Sequence, residues 1–355
     1  MPQKIMLAVD CRPAAYRLGT DRTKHRMSLA FQFPLNLWLI PLCAFCICWL
    51  TLAALMQRAA RLPMDHPNDR SLHVTPTPRF GGIGIMAGVL AATLLIQSSA
   101  LLYIILGAAA LAAISLLDDF KNLPVSWRFL AHIVVAIACL LTLPGLNVGG
   151  LIIATLVLVW MTNLYNFMDG ADGMAGGMAV IGFGALTVAA WLAGAPELAL
   201  LCAAIAASTL AFLRFNFPPA RLFMGDTGSI PLGFLAAALA VYGVLHGYWS
   251  ILFPLMVFSP FIVDASVSLT KRGLRGEKIW HAHRDHYYQR LVRMGWSHRQ
   301  LALAAYTLML ACAFIGMTLI MAPAFASLLV ALWGIGLTLI LLTIDWRWSH
   351  INHEL

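Results

Sequence analysis

The chain of 355 residues is 61% apolar (AVILMFWYC) and only 11% charged. A soluble domain carries about 25% charged residues. This composition excludes a soluble protein, because so few charged residues could not cover its surface. It fits a protein whose apolar surface lies in lipid. The net charge of +8 does not indicate nucleic acid as a partner, because four of these units come from the first 26 residues.

Residues 1–26 contain six Lys or Arg side chains but lack the apolar segment of a cleaved signal peptide. We expect residues 1–32 to be a disordered or spurious N-terminal extension, with Met27 as an alternative start of translation. Residues 33–355 are then expected to form one polytopic membrane domain.

Eleven apolar runs follow, most of them close to the roughly 20 residues that a helix needs to cross the hydrocarbon core. They cover residues 35–56, 83–97, 100–117, 127–143, 149–167, 175–194, 198–213, 229–246, 249–270, 301–321 and 324–344. Their periodicity is helical and no strand pattern accompanies it. The sequence therefore predicts an all-α integral membrane protein with about eleven transmembrane helices.

Basic residues indicate how these helices are oriented. Of the 23 Lys and Arg residues, 17 lie in alternate loops or in the C-terminal tail, and the intervening loops contain none. The basic loops cover residues 57–82, 118–128, 214–228 and 271–300. Because loops rich in Lys and Arg stay in the cytoplasm, we expect these loops, which also hold seven of the 15 Asp and Glu residues, to lie on the cytoplasmic face.

The third apolar run ends in two adjacent carboxylates, Asp118 and Asp119, followed by Lys121. Neighbouring carboxylates repel each other unless a cation or a shared proton relieves them, which suits a Mg²⁺ site or a general base. The alternative is an ordinary solvated helix end, although acidic residues at a helix C-terminus oppose the helix dipole.

A second polar stretch, NLYNFMDGADG, follows the fifth run. If this stretch is helical, Asn163, Asn166 and Asp169 share one face, and Asp172 extends that face. Its glycines allow the backbone to approach a ligand closely. Alternatively, the same residues only form a loop that connects two helices.

The third stretch, FMGDTGS, begins the eighth run. Free N–H groups at a helix start can bind phosphate, and Asp226 could hold the Mg²⁺ that accompanies the phosphate. Alternatively, Asp226 or Ser229 serves as an N-cap of the helix.

The loop 271–300 contains the sequence HAHRDH, with His281, His283, Arg284 and His286. Three histidines at this spacing could bind a metal. An anion-binding cluster is favoured over a metal site, because many Arg and Lys residues surround the histidines and no cysteine is nearby.

A fifth polar stretch occupies residues 66–82 and is rich in proline and glycine. These residues indicate a rigid loop, which presents Arg70, His73 and Arg79. A simple linker needs neither that rigidity nor those cations.

Taken in order, the Asp118–Asp119 pair and the NxxNFMDGxDG, FMGDxGS and HxHRxH stretches resemble the polyprenyl-phosphate N-acetylhexosamine-1-phosphate transferases. These integral membrane enzymes start O-antigen, teichoic acid and peptidoglycan lipid carriers. The likeness extends from about residue 33 onward. The sequences of residues 71–81 and 166–169 look like those of the O-antigen-initiating branch of this family, except that Phe80 stands where a glycine is expected.

The resemblance implies Mg²⁺-dependent transfer of a sugar 1-phosphate from a UDP-N-acetylated sugar to undecaprenyl phosphate, with release of UMP. It places the enzyme in the bacterial inner membrane, surrounded by lipids, with its catalytic loops on the cytoplasmic face. Mg²⁺, or Mn²⁺ in its place, is the expected cofactor, nucleic acid is not an expected partner, and a homodimer is left open.

The resemblance also implies roles for individual residues. Asp226 is expected to be the principal Mg²⁺ ligand, with Asp169 nearby. Asp118 is expected to act as the base for the lipid phosphate, or as a nucleophile if a covalent phospho-enzyme forms, and Asp119 supports it.

The remaining roles concern substrate binding. Lys121 and Arg128 are expected to hold the lipid phosphate, and Phe223 to stack on uracil beside Asp172. The histidine loop, with His281, His283, Arg284 and His286, is expected to meet the pyrophosphate or the sugar. The set of expected substrate-binding residues is completed by Arg70, His73, Arg79, Asn163 and Asn166.

Two other classes of protein fit the sequence less well. A secondary transporter would carry charges near the middle of the bilayer and an internal inverted repeat, but only Asp264 is a candidate for such a charge and no repeat is evident. A non-catalytic membrane scaffold would not need five polar loops on one face.

Overall fold

The computed structural model describes residues 37, 39–58, 64–67, 72, 75–96, 98–121, 123–278 and 284–353. The expected N-terminal extension lies outside these residues. So do four of the expected site residues, namely Arg70, His73, His281 and His283.

Helices dominate the described part of the chain. In chain order they are α1 Leu39–Met56, α2 Gly81–Thr93, α3 Ser99–Lys121, α4 Val125–Leu140, α5 Val148–Phe167, α6 Met174–Leu192, α7 Pro196–Asn216, α8 Asp226–Leu245, α9 Leu252–Val257, α10 Ser259–Leu274, α11 Tyr287–Arg293, α12 His298–Met321 and α13 Ala326–His353. A 3₁₀ turn, Pro323–Phe325, precedes α13.

Eight of the described helical segments are long and apolar enough to cross a membrane: α1, α3, α5, α6, α7, α8, α12 and the stretch from the 3₁₀ turn through α13. The helices α2 and α4 are apolar but shorter, with 13 and 16 residues. The predicted all-α membrane fold is confirmed. The predicted number of eleven spans stays a prediction.

The apolar run at 249–270 is not one continuous helix, because two helices, α9 and α10, occupy it and meet at Phe258; that the run crosses the membrane stays a prediction. Proline has no backbone N–H to donate and is best tolerated in the first turn of a helix. Pro260 lies in the first turn of α10, which favours a new helix start here over one continuous helix.

The expectation of no strand was also wrong in one place. Met64–Asp65 (β1) and Thr77–Pro78 (β2) form a short antiparallel pair. A strand of two residues is too short to produce an alternating pattern in the sequence.

The starts of α2 and α8 lie side by side. The backbone N–H of Gly81 donates to the carbonyl of Phe223, and that of Gly82 to the carbonyl of Met224, both at 2.9 Å. A Cβ atom on Gly82 would lie only 2.1 Å from the backbone nitrogen of Gly228. The two backbones touch because neither glycine carries a side chain, and this contact brings the 75–80 segment against the FMGD segment.

α8 lies at the centre of the described helices, where it packs against α2, α3 and α5. Almost all of its residues are buried. Its first residue, Asp226, is therefore surrounded by the ends of its neighbours, which is where the polar stretches of the sequence occur.

Candidate active site

Carboxylates and arginines from separate helices meet at the end of the bundle where α8 begins. We call this group the acidic cluster; its members are Asp118, Asp119, Asp169, Asp226, Arg79 and Arg128. Asp118 and Asp119 end α3, Arg128 lies in the first turn of α4, and Arg79 precedes α2. The sequence predicted all six as site residues, and the structure brings them together.

Arg128 joins the ends of two helices. Its Nη1 atom lies 2.8 Å from Oδ2 of Asp118 and 3.5 Å from Oδ2 of Asp226. The other oxygen of Asp118 accepts a hydrogen bond of 2.6 Å from the backbone N–H of Leu123. Both carboxylate oxygens of Asp118 are thus engaged, one of them by a cation that a phosphate could attract away.

Arg79 and Thr227 hold the second carboxylate of the pair. Nη2 of Arg79 lies 3.1 Å from Oδ1 of Asp119, and the hydroxyl of Thr227 donates to Oδ2 at 3.4 Å. Asp119 is only 7% exposed, whereas Arg79 is 35% exposed. Asp119 is therefore buried, and the Arg79 guanidinium that it contacts lies on the more exposed side of the cluster.

The arginines retain donors that the described residues do not satisfy. Nε of Arg79 and Nε of Arg128 are buried, and neither has a hydrogen-bond partner among the residues that the structure describes. A buried donor without a partner costs about 1–3 kcal/mol. Two such donors in one cluster suit an anion, although Nε of Arg272 and Nε of Arg290 are also buried without a partner among the described residues.

Asp169 lies in the turn between α5 and α6. Burial raises the pKa of its carboxyl well above the ordinary value, and the carboxylates of Asp226 and Asp65 raise this pKa further. With all members ionised, the four carboxylates of the acidic cluster exceed its two guanidinium groups by two negative charges. A divalent cation would balance that excess.

The donor set fits Mg²⁺ in its chemistry. Among the described residues there is no group of three or more His, Cys, Asp or Glu side chains already arranged around a metal position. Mg²⁺ does not require one, since it is commonly held by one or two carboxylates together with substrate phosphates and water. Carboxylate oxygens with excess negative charge are the ligands it prefers.

The predicted helical face of the NLYNFMDGADG stretch is only partly correct. α5 ends at Phe167, so Asn163 and Asn166 lie on the helix, while Asp169 and Asp172 lie in the turn that follows. Asn166 Oδ1 accepts a hydrogen bond of 2.8 Å from the hydroxyl of Ser229. Asn163 donates to the carbonyl of Val159, one turn back along its own helix, at 2.7 Å.

Asp172 is engaged by protein groups. Its Oδ2 accepts a hydrogen bond of 2.9 Å from the backbone of Ala220, and its Oδ1 lies 3.1 Å from Nδ1 of His298. The Phe223 backbone pairs with Pro78 and Gly81, and its side chain is half-buried. The predicted roles of Asp172 and Phe223 in uracil binding stay predictions.

The alternative interpretation of Asp226 or Ser229 as an N-cap is wrong. The residue before α8 is Gly225, whose φ of 70° favours glycine, and no side chain caps the helix. Asp226 is the first helical residue, which leaves its carboxylate available to the cluster.

Three other predicted binding residues differ in their exposure. Lys121 and Arg284 are exposed. His286 is buried, 3.4 Å from Asp264 through its Nδ1, and its ring stacks on Phe167. The described part of the histidine loop therefore packs against the α5–α6 turn.

Several residues of the site were not predicted as site residues, although Ser229 was named as a possible N-cap. Thr227, Ser229, Asn216 and His298 all make contacts that shape the site. Asn216 is buried and accepts a hydrogen bond from Gly173 N at 2.9 Å while donating to the carbonyl of Leu222. Thr227 and Ser229 belong to the FMGDTGS stretch and could have been found there. His298 lies 126 residues from its partner Asp172, and no local sequence pattern indicates their contact.

Membrane-length helices and a polar cluster at one end of them define an integral membrane protein. The profile of glycosyl transferase family 4 matches residues 101–244, a stretch that contains all four aspartates of the acidic cluster. A curated relative shares 33% identity over 265 residues, covering 68% of this chain and 73% of its own length. The chain belongs to glycosyl transferase family 4.

That relative is the probable undecaprenyl-phosphate N-acetylglucosaminyl 1-phosphate transferase of Bacillus subtilis (strain 168). The chain is also similar to the decaprenyl-phosphate N-acetylglucosaminephosphotransferase of Mycobacterium tuberculosis, at 27% identity over 76% of this chain and 79% of the relative. A phospho-N-acetylmuramoyl-pentapeptide-transferase of a Geobacillus species is 29% identical over 68% of this chain and 83% of the relative. With its apolar helices and these relatives, the chain is a bacterial integral membrane transferase.

Proposed function

We propose that the protein transfers N-acetylhexosamine 1-phosphate from a UDP-sugar to undecaprenyl phosphate. An oxygen of the acceptor phosphate attacks the phosphorus that carries the sugar, and the bond from that phosphorus to UMP breaks. The products are undecaprenyl-pyrophosphate-sugar and UMP. N-acetylglucosamine is the first sugar to test, because it appears in the names of the Bacillus and Mycobacterium relatives.

One observation carries the proposal: two arginines with unsatisfied buried donors lie among four carboxylates at one end of the helices. Both substrates of the reaction are phosphates, which require cations in fixed positions. Excess carboxylates among those cations are costly unless a metal ion accompanies the phosphates. A site with both features suits transfer of a phosphoryl group between two anionic substrates.

Asp226 and Asp169 would hold Mg²⁺, or Mn²⁺ in its place. When bound, the ion neutralises charge on the donor pyrophosphate and on the departing UMP. The turn that carries Asp169 and the first residue of α8 are fixed by separate helices, so the two carboxylates approach the site from different directions.

Arg128 and Asp118 would receive the acceptor. When the lipid phosphate binds, it draws the Arg128 guanidinium from Oδ2 of Asp118, which is then able to accept the proton of a phosphate monoanion. Arg79 would contact the second phosphate from the opposite side of the cluster. These side chains bind and orient the two phosphates and move one proton.

The product is proposed to start O-antigen or a related cell-surface polysaccharide, with the site on the cytoplasmic face. Nothing in the three relatives' names specifies O-antigen. The cytoplasmic orientation is supported by the Lys and Arg residues of the loops at the site end.

The test is direct. Purified protein is incubated with Mg²⁺, undecaprenyl phosphate and each of UDP-GlcNAc, UDP-GalNAc, UDP-FucNAc and UDP-QuiNAc, and the release of UMP is measured. We expect acceptor-dependent UMP release with at least one donor. Absence of UMP above the acceptor-free control with all four donors would contradict the proposal.

Orientation can be tested at the C-terminus. Lys271 forms a salt bridge with Asp345, so the end of α13 and the end of α10 lie together. A green fluorescent protein fused to the C-terminus should fluoresce, and an alkaline phosphatase fused there should be inactive. The reverse pair of results would place the site outside.

A further inference from the structure

Asp264 fixes the start of the short helix α11. Asp264 lies on α10, is 7% exposed, and accepts hydrogen bonds from two successive backbone N–H groups: Tyr287 N to Oδ1 and Tyr288 N to Oδ2, both at 2.9 Å. The hydroxyl of Ser268 donates to Oδ1 at 3.2 Å. Asp264 was the candidate for the charge that a transporter would carry in the bilayer. Its carboxylate instead holds α11 in one orientation.

The orientation of α11 directs the side chain of Tyr288 to the α5–α6 turn. The Tyr288 hydroxyl donates to the carbonyl of Phe167 at 3.0 Å. Gly170 packs against the same hydroxyl, so this one group contacts both ends of the turn that contains Asp169. The contact is close, because a Cβ atom on Gly170 would lie 2.2 Å from the Tyr288 oxygen.

We propose that Tyr288, held by Asp264, is a positioning residue whose hydroxyl fixes the turn at residues 167–170 and with it the carboxylate of Asp169. The kinetic part of this inference rests on the proposed function; the structural part does not. The hydroxyl acts on no substrate. It acts through the backbone of the turn.

The hydroxyl keeps its proton under ordinary conditions. Burial raises the pKa of Tyr288 well above its usual range, and the carboxylates of Asp264 and Asp169 raise it further. Only a protonated hydroxyl can donate to the carbonyl of Phe167, which is what the bridge across the turn requires.

The neighbouring tyrosine provides a matched control. Tyr287 occupies the same helix and is also buried, but its hydroxyl contacts Asp345 at 2.9 Å and Lys271 at 2.7 Å. Tyr287→Phe removes a hydroxyl of the same kind from α11 without touching the turn. Tyr288→Phe keeps the ring, the backbone contacts to Asp264 and the fold of α11, and removes only the bridge.

The experiment combines hydrogen–deuterium exchange with steady-state kinetics on the full chain in detergent. In Tyr288→Phe we expect faster amide exchange in peptides covering residues 167–171, and a kcat about tenfold lower, with KM for the UDP-sugar changed less than twofold. In Tyr287→Phe both the exchange of that segment and kcat should match wild type. A thermal melt of each variant reports stability separately.

Unchanged exchange at residues 167–171 in Tyr288→Phe would overturn the inference, as would equal effects of the two tyrosine variants. Faster exchange with unchanged kcat would also overturn it, since the turn would then not matter for the chemistry. If wild type releases no UMP, the proposed function fails while the exchange comparison still decides whether the bridge exists.

A double variant tests the dependence on Asp264. If Asp264 acts through Tyr288, Asp264→Asn/Tyr288→Phe should lower kcat no further than Asp264→Asn alone. If the fold-change in kcat of the double variant equals the product of the two single fold-changes, Asp264 acts independently of Tyr288, which would contradict its assigned part.

Discussion

Two groups of charged residues lie at the same end of the helices and differ in how their carboxylates are satisfied. In the acidic cluster, four carboxylates share two arginines. In the second group, which we call the anchor cluster, Asp345 lies among cations: Lys271 contacts it, and Nη1 of Arg290 lies 2.9 Å from its Oδ1. Arg290 and Arg293 also lie over the ring of Trp348.

The difference separates carboxylates that bind ligands from carboxylates that hold helices together. Both kinds occur near the membrane boundary, where an acidic residue is costly. In the anchor cluster, the cations outnumber the carboxylate, and the contacts join α13 to α10 and α11. In the acidic cluster the four carboxylates outnumber the two arginines, so that with all four ionised the site is completed only by substrates and a cation.

The largest expected effect comes from Asp226→Asn in the acidic cluster. This variant keeps the size of the side chain but removes the charge proposed to hold the metal, so kcat should fall about 10²–10³-fold. Stability should hold or rise, because one repelling carboxylate is removed. UMP release over a Mg²⁺ titration and a thermal melt measure the two quantities.

Glu197→Gln is the control for that variant, since Glu197 is exposed at the other end of the bundle, in the first turn of α7. It should change neither rate nor melting temperature. Near-normal turnover of Asp226→Asn with an unchanged Mg²⁺ dependence would show that Asp226 does not hold the metal.

The next largest effect is expected for Arg128→Gln, which removes the cation between Asp118 and Asp226. Loss of a charged hydrogen bond to phosphate should lower kcat/KM for undecaprenyl phosphate about 10- to 100-fold. Unlike Asp226→Asn, this variant should also lower the melting temperature, because two carboxylates lose their shared partner. A melting temperature equal to wild type would mean that the cluster does not carry the excess charge that we assign to it.

Gly170→Ala tests the connection between the turn and α11. The added methyl group would overlap the Tyr288 oxygen at 2.2 Å but would lie 3.2 Å from Cζ of the same ring. We expect a loss of about 1–3 kcal/mol of unfolding free energy from overpacking. Gly170→Ala/Tyr288→Phe should recover part of that loss in chemical denaturation; a double variant less stable than Gly170→Ala would contradict the described contact.

The smallest effect is expected in the anchor cluster. Asp345→Asn should lower the unfolding free energy by about 1 kcal/mol or less, as is usual for a partly exposed ion pair, and should leave kcat unchanged. The measurement pairs a thermal melt with the UMP assay. A fall in kcat/KM for undecaprenyl phosphate comparable to that of Arg128→Gln would remove the distinction between the two clusters.

The sequence predicted most helices and much of the acidic cluster, because both leave local patterns. Apolar runs of membrane length indicate helices, and alternating basic loops indicate which helix ends face the same side. Asp118, Asp226 and Arg128 could be expected to meet because each stands at such an end. Pro260 was a sequence signal for the break between α9 and α10 at Phe258. The uniform hydropathy of the run at 249–270 obscured that signal.

Other contacts left no pattern to read. Asp264 hydrogen-bonds to backbone groups 23 and 24 residues later, and any residue type supplies a backbone N–H. The Asp172–His298 pair depends on how α12 lies against the α5–α6 turn, which tertiary packing decides. A carboxylate that meets backbone groups and one that meets a ligand look the same in a sequence.

The contact between Gly82 and Gly228 also governs when the site can form during synthesis. Gly228 leaves the ribosome 146 residues after Gly82, a delay of roughly 7–30 s at about 5–20 residues per second. Arg79 is made before that interval begins and Asp118 and Asp119 are made during it, whereas the start of α8 is made only at its end. The nascent protein therefore cannot act on its substrates until more than half of the polypeptide has entered the membrane.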